Sequence, residues 1–414
     1  MPPLPRFQFP PSPRLSIALI FLIRGFIVGN WFPRIPGLVQ RLEIPSSLLG
    51  IIWFLLAAGC IVSFAIAAQL MKRTGSARAI LMFAVPYPII LTLVSLAPNV
   101  WLFGGGLIAY GLVAGGIDVS TSVQGGVVER ATHRPLVSSL YGYFSLGALV
   151  GSFVSGLVAQ ARIPSPLQFA ILAIVSVPLF IYLSRRLLPD DRLETSISPA
   201  RRRYRLNLPP RVLWPLGALI FCVALGEESI NNWVALYMRQ DLGSSPAIAG
   251  FAYTAFAVAT FGGRILGDPV MQRFGVDRVL MSGSLLAAAG IGFGILVNQP
   301  WAMLVGYAAV GMGLSVVVPV TYRRAGELPG MSAASAVAAV ASIGYFGFLV
   351  GPMLIGFIAD LWSLRAALAL VGMSLVGIFV MVRISPSESV FTPPTEQEPP
   401  PAHPHLEQEN PLSL

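Results

Sequence analysis

The stretch at residues 224–233, ALGEESINNW, sets Glu227, Glu228, Asn231 and Asn232 inside a segment, residues 212–237, that is otherwise apolar and long enough to cross a bilayer. A carboxylate at the centre of a membrane costs roughly 2.5–3.5 kcal/mol on insertion scales, so such residues face a watery cavity or a partner rather than lipid. On a helix, residues four apart share a face, which places Glu227 with Asn231 and Glu228 with Asn232. Two kinds of chemistry stay open for these acids. Each can take up and release a proton, or it can hydrogen-bond a neighbouring helix and do nothing more.

Two other embedded charges extend the pattern. Arg24 lies about 14 Å into the first apolar run, at 1.5 Å per residue, too deep for its head to reach the interface easily; it needs an acid or an anionic solute beside it. Asp118 stands among Ser120, Thr121, Ser122 and Gln124, a polar cluster that no lipid-facing helix would carry. Burial favours the neutral form of a carboxyl group and a nearby cation favours the charged one. An acid passing between those two settings binds and releases a proton, and Asp118 and Glu227 are the candidates, with Glu228 third. Trp31, Trp233, Tyr141, Tyr143 and Tyr345 offer aromatic faces with polar tips on which a sugar-like solute can stack. Tryptophans near span ends also serve as interface anchors, and Trp101, Trp301 and Trp362 are read that way.

Positioning such groups takes many helices. Apolar residues make up 55% of the 414, charged residues 11%, and the mean hydropathy is +0.75, which excludes a soluble globular protein. Twelve apolar runs reach the roughly 20 residues that cross a bilayer, the first at 15–32 and the last at 364–382. The net charge of +9 does not imply nucleic acid. With twelve spans threaded from an inside N-terminus, only Arg34, Arg41, Arg162, Arg239 and Arg365 of the 27 basic residues fall outside, which orients both termini to the cytoplasm. Cys60 and Cys222 lie in apolar runs at no metal or disulfide spacing, and no cofactor or metal is expected. The first apolar run lacks a small-residue cleavage signal and reads as an uncleaved helix. His403 and His405, in a proline-rich polar tail, are too few to suggest a metal site.

The sequence also repeats itself at an offset of 200. Met71, Arg73, Gly75 and Arg78 recur as Met271, Arg273, Gly275 and Arg278; Trp101, Gly106 and Gly111 as Trp301, Gly306 and Gly311; Gly147, Gly151 and Gly156 as Gly347, Gly351 and Gly356. With a slip of two, Asn30 and Trp31 match Asn232 and Trp233. Six spans per repeat is an even number, so the halves enter the membrane alike and their symmetry axis runs along the membrane normal. The expected organisation is a proline-rich N-terminus at 1–14, a six-helix bundle at 15–187, a basic linker at 188–211, a second six-helix bundle at 212–384 and a disordered tail at 385–414.

Two six-helix halves, a basic central loop and paired short basic loops after helices 2 and 8 resemble the major facilitator superfamily, across residues 15–383. Finer features are similar to its fucose-permease-like sugar carriers and a related group of bacterial inner-membrane proteins. These are GNWFPRIP at 29–36, GIDVSTSVQGGVVER at 116–130, YGYFSLGALVG at 141–151, GEESINNW at 226–233, GGRILGD at 262–268 and GYFGFLVGP at 344–352. The resemblance implies an all-α membrane protein whose helices 1, 4, 7 and 10 line a central cavity. In the family the loop after helix 2 carries an acid before its arginine. Here Arg73, Gly75, Arg273 and Gly275 are present but Lys72 and Gln272 replace the acid, leaving Asp268 with Arg264 as the local substitute. Fucose-permease-like carriers couple to protons through acids on helices 1 and 4; Asp118 matches the second, and helix 1 has none.

The functional expectation is a secondary active transporter of a small polar, sugar-like organic solute, working by alternating access and coupled to protons, in the bacterial inner membrane. The binding set is Arg24, Asn30, Trp31, Asp118, Ser122, Gln124, Tyr141, Glu227, Glu228, Asn231, Asn232 and Trp233. The partners expected are the solute, the coupling ion and the lipid bilayer, with no nucleic acid and a monomeric chain. An exporter of apolar, drug-like compounds, suggested by Gly351 with Pro352, and a non-transporting membrane sensor are the alternatives. The chain carries no GxxxxGK[ST] nucleotide loop and no nucleophile, base and orienting group at a credible spacing, so neither a primary pump nor an enzyme is expected.

Overall fold

The computed structural model describes residues 12–132, 136–189, 213–328 and 333–384. The expected linker and both terminal segments fall largely outside these residues, as do His133, Arg134, His403 and His405. Among the described residues there is no strand, and twelve helices are long and apolar enough to span a membrane. We label them α1 (Pro13–Leu42), α2 (Ser46–Thr74), α3 (Ser76–Leu96), α4 (Val100–Thr132), α5 (Ser139–Gln160), α6 (Ser165–Ser184), α7 (Trp214–Gln240), α8 (Pro246–Gly267), α9 (Val276–Val297), α10 (Pro300–Gly326), α11 (Ala339–Leu361) and α12 (Leu364–Arg383). Twelve crossings leave both ends of the described chain on one face, here the terminal face; the opposite face is the distal one.

Local chemistry sets where the helices start, bend and stop. Ser12 and Ser245 accept the backbone N–H groups of Leu15 and Ile248 at the starts of α1 and α8, and each of these helices carries a proline in its first turn, where no N–H is needed. Proline also interrupts: α1 passes through a 3-10 turn at Phe32–Arg34, and α3 breaks at Val85 before Pro86. The repeat is visible in the caps. Gly75 and Gly275 both take positive φ, 82° and 84°, and their N–H groups donate to the carbonyls of Met71 and Met271 at 2.8 and 2.9 Å. A side chain would be strained at that φ, which explains the paired glycines.

Packing repeats as well. Within the first six helices α1 lies along α5, α2 along α4 and α3 along α6; within the last six α7 lies along α11, α8 along α10 and α9 along α12. Lipid offers no hydrophobic drive for helix association, so these contacts rest on close backbone approach at small residues. A Cβ on Gly147 would sit 2.1 Å from the Leu22 carbonyl oxygen of α1, and one on Gly347 would sit 2.9 Å from the Phe221 carbonyl oxygen of α7. The two sets of six meet mainly where α2 packs on α11 and α5 on α8. Both seams close at the distal face, and the stacked rings of Phe153 and Phe251, 5.2 Å apart, fill the second.

Gly147→Val should destabilise the protein by roughly 1–3 kcal/mol through overpacking of α5 against α1. Gly142→Ala, on the same helix with no atom within 4 Å of the added carbon, should leave stability within about 1 kcal/mol of the starting value. Thermal unfolding in detergent checks both; equal losses would contradict the packing described.

Candidate functional site

Asp118, Thr121 and Ser122 share one face of α4 because they are three and four residues apart. Arg24 of α1 reaches that face. Its Nη2 donates to Asp118 Oδ1 at 2.8 Å and its Nη1 to Thr121 Oγ1 at 2.7 Å, while Thr121 donates its own proton to the Ile117 carbonyl. The guanidinium lies 5.5 Å from the ring centres of both Phe21 and Phe144, so it is held by one charge and two aromatic faces. The pair is lopsided: the Arg24 side chain is 6% exposed and that of Asp118 44%. The Tyr141 hydroxyl of α5 lies 2.9 Å from the Ser122 hydroxyl. Asp118 and Tyr141 both act electrostatically on Tyr345 of α11, so this polar face looks across to the other half.

On α7 the two acids differ. Glu228 is buried and accepts Asn231 Nδ2 at 3.0 Å on one oxygen and Asn232 Nδ2 at 2.7 Å on the other. Asn231 therefore serves Glu228 three residues earlier, and not Glu227 as the four-residue spacing suggests. Glu227 accepts no hydrogen bond from the described residues and interacts with the charge of Arg264 on α8. Its field reaches Tyr253 of α8 and Tyr322 of α10. A groove of about 600 Å³ along Pro178, Ile181 and Tyr182 of α6 and the following Arg185 and Arg186 contains none of these residues.

Several residues that the sequence pattern assigns to the cavity lie in the packing. Trp31 is buried between Trp53, Phe103 and Phe169, at 6.1–6.4 Å between ring centres. Trp233 is fully buried, and its Nε1–H donates to no acceptor among the described residues. Asn30 belongs to a buried network in which Gln168 donates to its Oδ1 at 2.7 Å and Ser155 to its carbonyl at 2.8 Å, while Arg34 Nε donates to Gln168 at 2.5 Å. Gln124 accepts from Ser76 and donates to the Leu188 carbonyl at 3.1 Å, tying α4 to the start of α3 and to the segment after α6. Glu129 accepts the Leu136 N–H at 2.6 Å across the turn into α5. A polar residue in an apolar run signals burial of a polar group; whether cavity or helix seam receives it depends on packing, which spacing alone does not report.

At the terminal face Arg73 and Arg273 are exposed and pair with no acid among the described residues; Arg273 lies 5.4 Å from the Phe274 ring. Arg264 of α8 is exposed and makes no ion pair among the described residues. An ion pair that the sequence reading passed over, Asp277 at the start of α9 with Arg324 at the end of α10, occupies that face. With Arg24 and Asp118 it completes the ion pairs among the described residues. Its partners lie 47 positions apart, with no motif to link them.

The whole chain has counterparts among known proteins. The chain is 31% identical over 378 residues to an MFS-type transporter of Yersinia pestis, covering 90% of this chain and 95% of the relative. It belongs to the major facilitator superfamily. The superfamily model matches residues 216–412. An uncharacterised transporter of Sinorhizobium fredii is 27% identical, with 87% and 95% covered, and the membrane protein MosC of Rhizobium meliloti is 26% identical, with 85% of each covered. Among solved structures, the nucleoside transporter NupG superposes with a TM-score of 0.72 at 11% identity, covering 90% of this chain and 98% of that one. A bacterial homologue of the lysosomal transporter Spinster, in an inward-facing and unoccupied conformation, gives 0.64 at 15%, with 90% and 94% covered. The chain is a multi-pass major facilitator transporter, and its family and structural neighbours are not enzymes.

In this transporter Asp118→Asn strands a buried guanidinium, whereas Arg24→Met leaves a carboxylate that water reaches. The first should cost roughly 2–3 kcal/mol, less than the 3–5 of a fully buried pair because Asp118 is nearly half exposed; the second should cost about 1 kcal/mol or less. Denaturation of both variants in detergent checks the order. A larger loss for Arg24→Met would contradict the lopsided burial.

Proposed function

We propose that the protein carries a small polar, sugar-like organic solute across the bacterial inner membrane by alternating access, driven by protons, with both termini in the cytoplasm. The observation that carries this reading is the half-exposed Asp118 carboxylate, deep in α4 and facing the other half, while both seams are closed on the distal side. Basic residues concentrate on the terminal face, which the positive-inside rule assigns to the cytoplasm; the shape is then inward-facing. Rocking one six-helix set against the other exchanges which face is closed.

The acids divide the work. Asp118, held by Arg24, presents its carboxylate oxygens to solute hydroxyls, flanked by the Ser122 and Tyr141 hydroxyls. Glu228 is occupied by two amides. Glu227 has neither a direct cation nor a hydrogen-bond donor among the described residues, so a proton is the partner it can gain and lose during the cycle. Tyr345, more than half exposed, offers a ring for the apolar face of a sugar or nucleoside. Pro352, whose motif suggests an exporter, packs its carbonyl against Gly50 at a seam, and a charged cavity suits apolar cargo poorly.

In proteoliposomes with an imposed pH gradient, Glu227→Gln should abolish uphill accumulation and keep exchange between equally loaded sides, since exchange needs reorientation with solute bound but no net proton release. Asp118→Asn should lose both. Accumulation by Glu227→Gln at the wild-type level would remove that residue as the proton carrier, and intact exchange by Asp118→Asn would remove that one from the solute site.

A further inference from the structure

The two distal seams are built from repeat-related positions. Gly50 of α2 meets the Pro352 and Met353 backbone of α11, and Gly250 of α8 meets Gly156 of α5 and accepts the Ser152 hydroxyl on its carbonyl at 2.9 Å. Gly356 lies against the Ser46 carbonyl, and Gly156 against that of Ala247. One feature breaks the match. At the α2–α11 seam both oxygens of Asp360 are used across the boundary between halves: Oδ1 accepts the Ser46 N–H at 2.9 Å and Oδ2 the Ser47 N–H at 2.8 Å. The repeat position of Asp360 is Gln160, and that of Ser46 is Pro246, which has no N–H to give. α8 is capped instead by its own Ser245.

We infer that Asp360 is a latch that holds the distal side shut, a carboxylate from one half capping the first N–H groups of a helix in the other. α2 has no cap of its own: Pro45 precedes it and no side chain of its own segment bonds its first amides. Opening the seam leaves those N–H groups without their acceptor and the carboxylate away from the positive end of the helix. The closed state alone contains these bonds, so the latch biases the equilibrium toward it, and at one seam only. Among the described residues the α5–α8 seam has one hydroxyl bond and stacked rings and no ion pair, and it is free to part first. Asp360 is a positioning residue for the transport cycle: it touches neither solute nor proton. This rests on alternating access as proposed above.

The test reads the distal opening directly. Spin labels on cysteines at Pro98 and Gln299, exposed positions in distal loops of opposite halves, are placed in a background with Cys60 and Cys222 replaced. Their distance distribution is then measured without any solute, so a chain that transported nothing would still return a value and the two readings can fail separately. Asp360→Ala should raise the long-distance fraction about five- to tenfold, the scale of one lost charged helix cap. Ser46→Pro removes one of the two donors and copies Pro246; Pro45 already has the extended backbone, ψ 153°, that a residue before proline requires. It should shift the distribution the same way by a smaller factor, and it alone decides the question if Asp360→Ala does not fold. A wild-type distribution in either folded variant overturns the latch.

Discussion

A guanidinium in an apolar span must be given a counter-charge, and the polar interior of this transporter is arranged around meeting that demand. Arg24 cannot reach either interface, so α4 must present an acid opposite it and the two helices must stay in register. Asp118 provides the charge, Thr121 a second acceptor, and Phe21 and Phe144 the dry walls. Removing the charge from water strengthens its attraction to the acid and makes its isolation costly, so the pair is both a staple and a constraint. The open side of the pair is Asp118, a half-exposed carboxylate whose charge is already balanced by Arg24.

The second half answers with a different arrangement. α7 carries two adjacent acids, one fixed by two asparagine amides and one left to the more distant Arg264. Sequence repetition at an offset of 200 builds the caps, the helix pairings and the seams alike in both halves, yet the embedded charges are not repeated: Arg24 and Asp118 have no copies at 224 and 318. Symmetry supplies the scaffold, and the unrepeated residues give the two halves unlike interior faces. Asp360 follows the same logic at the distal rim.

Helix number, span positions and the pairing of Gly75 with Gly275 were legible in the sequence, because apolar length and recurrence at a fixed offset can be read along the chain, whereas the positive φ that makes those glycines caps came from the structure. Membership in the superfamily was legible through motifs. The arrangement of the site was legible only in part. The burial depth of Arg24 called for an acid, and the partner is Asp118; but Asn30, Trp31, Gln124 and Trp233 looked the same in one dimension whether they faced water or a neighbouring helix. Their place in the packing depends on residues such as Gln168 and Ser76, 138 and 48 positions away. Asp277 with Arg324 and Asp360 with Ser46 were illegible for the same reason: each joins chain segments that no periodicity relates.

On the function proposed above, the Asp118 carboxylate, balanced by Arg24, receives the solute. The most direct test is thermal stabilisation of the purified protein by a panel of sugars, nucleosides, organic acids and apolar drugs, in the wild type and in folded Asp118→Asn. Ligand binding to the native state raises apparent stability, by about 2.7 kcal/mol at a hundred times the dissociation constant. The account predicts that a polyhydroxylated solute raises the melting temperature of the wild type and leaves Asp118→Asn unmoved. Equal stabilisation of both proteins, or a response to apolar compounds alone, would contradict it.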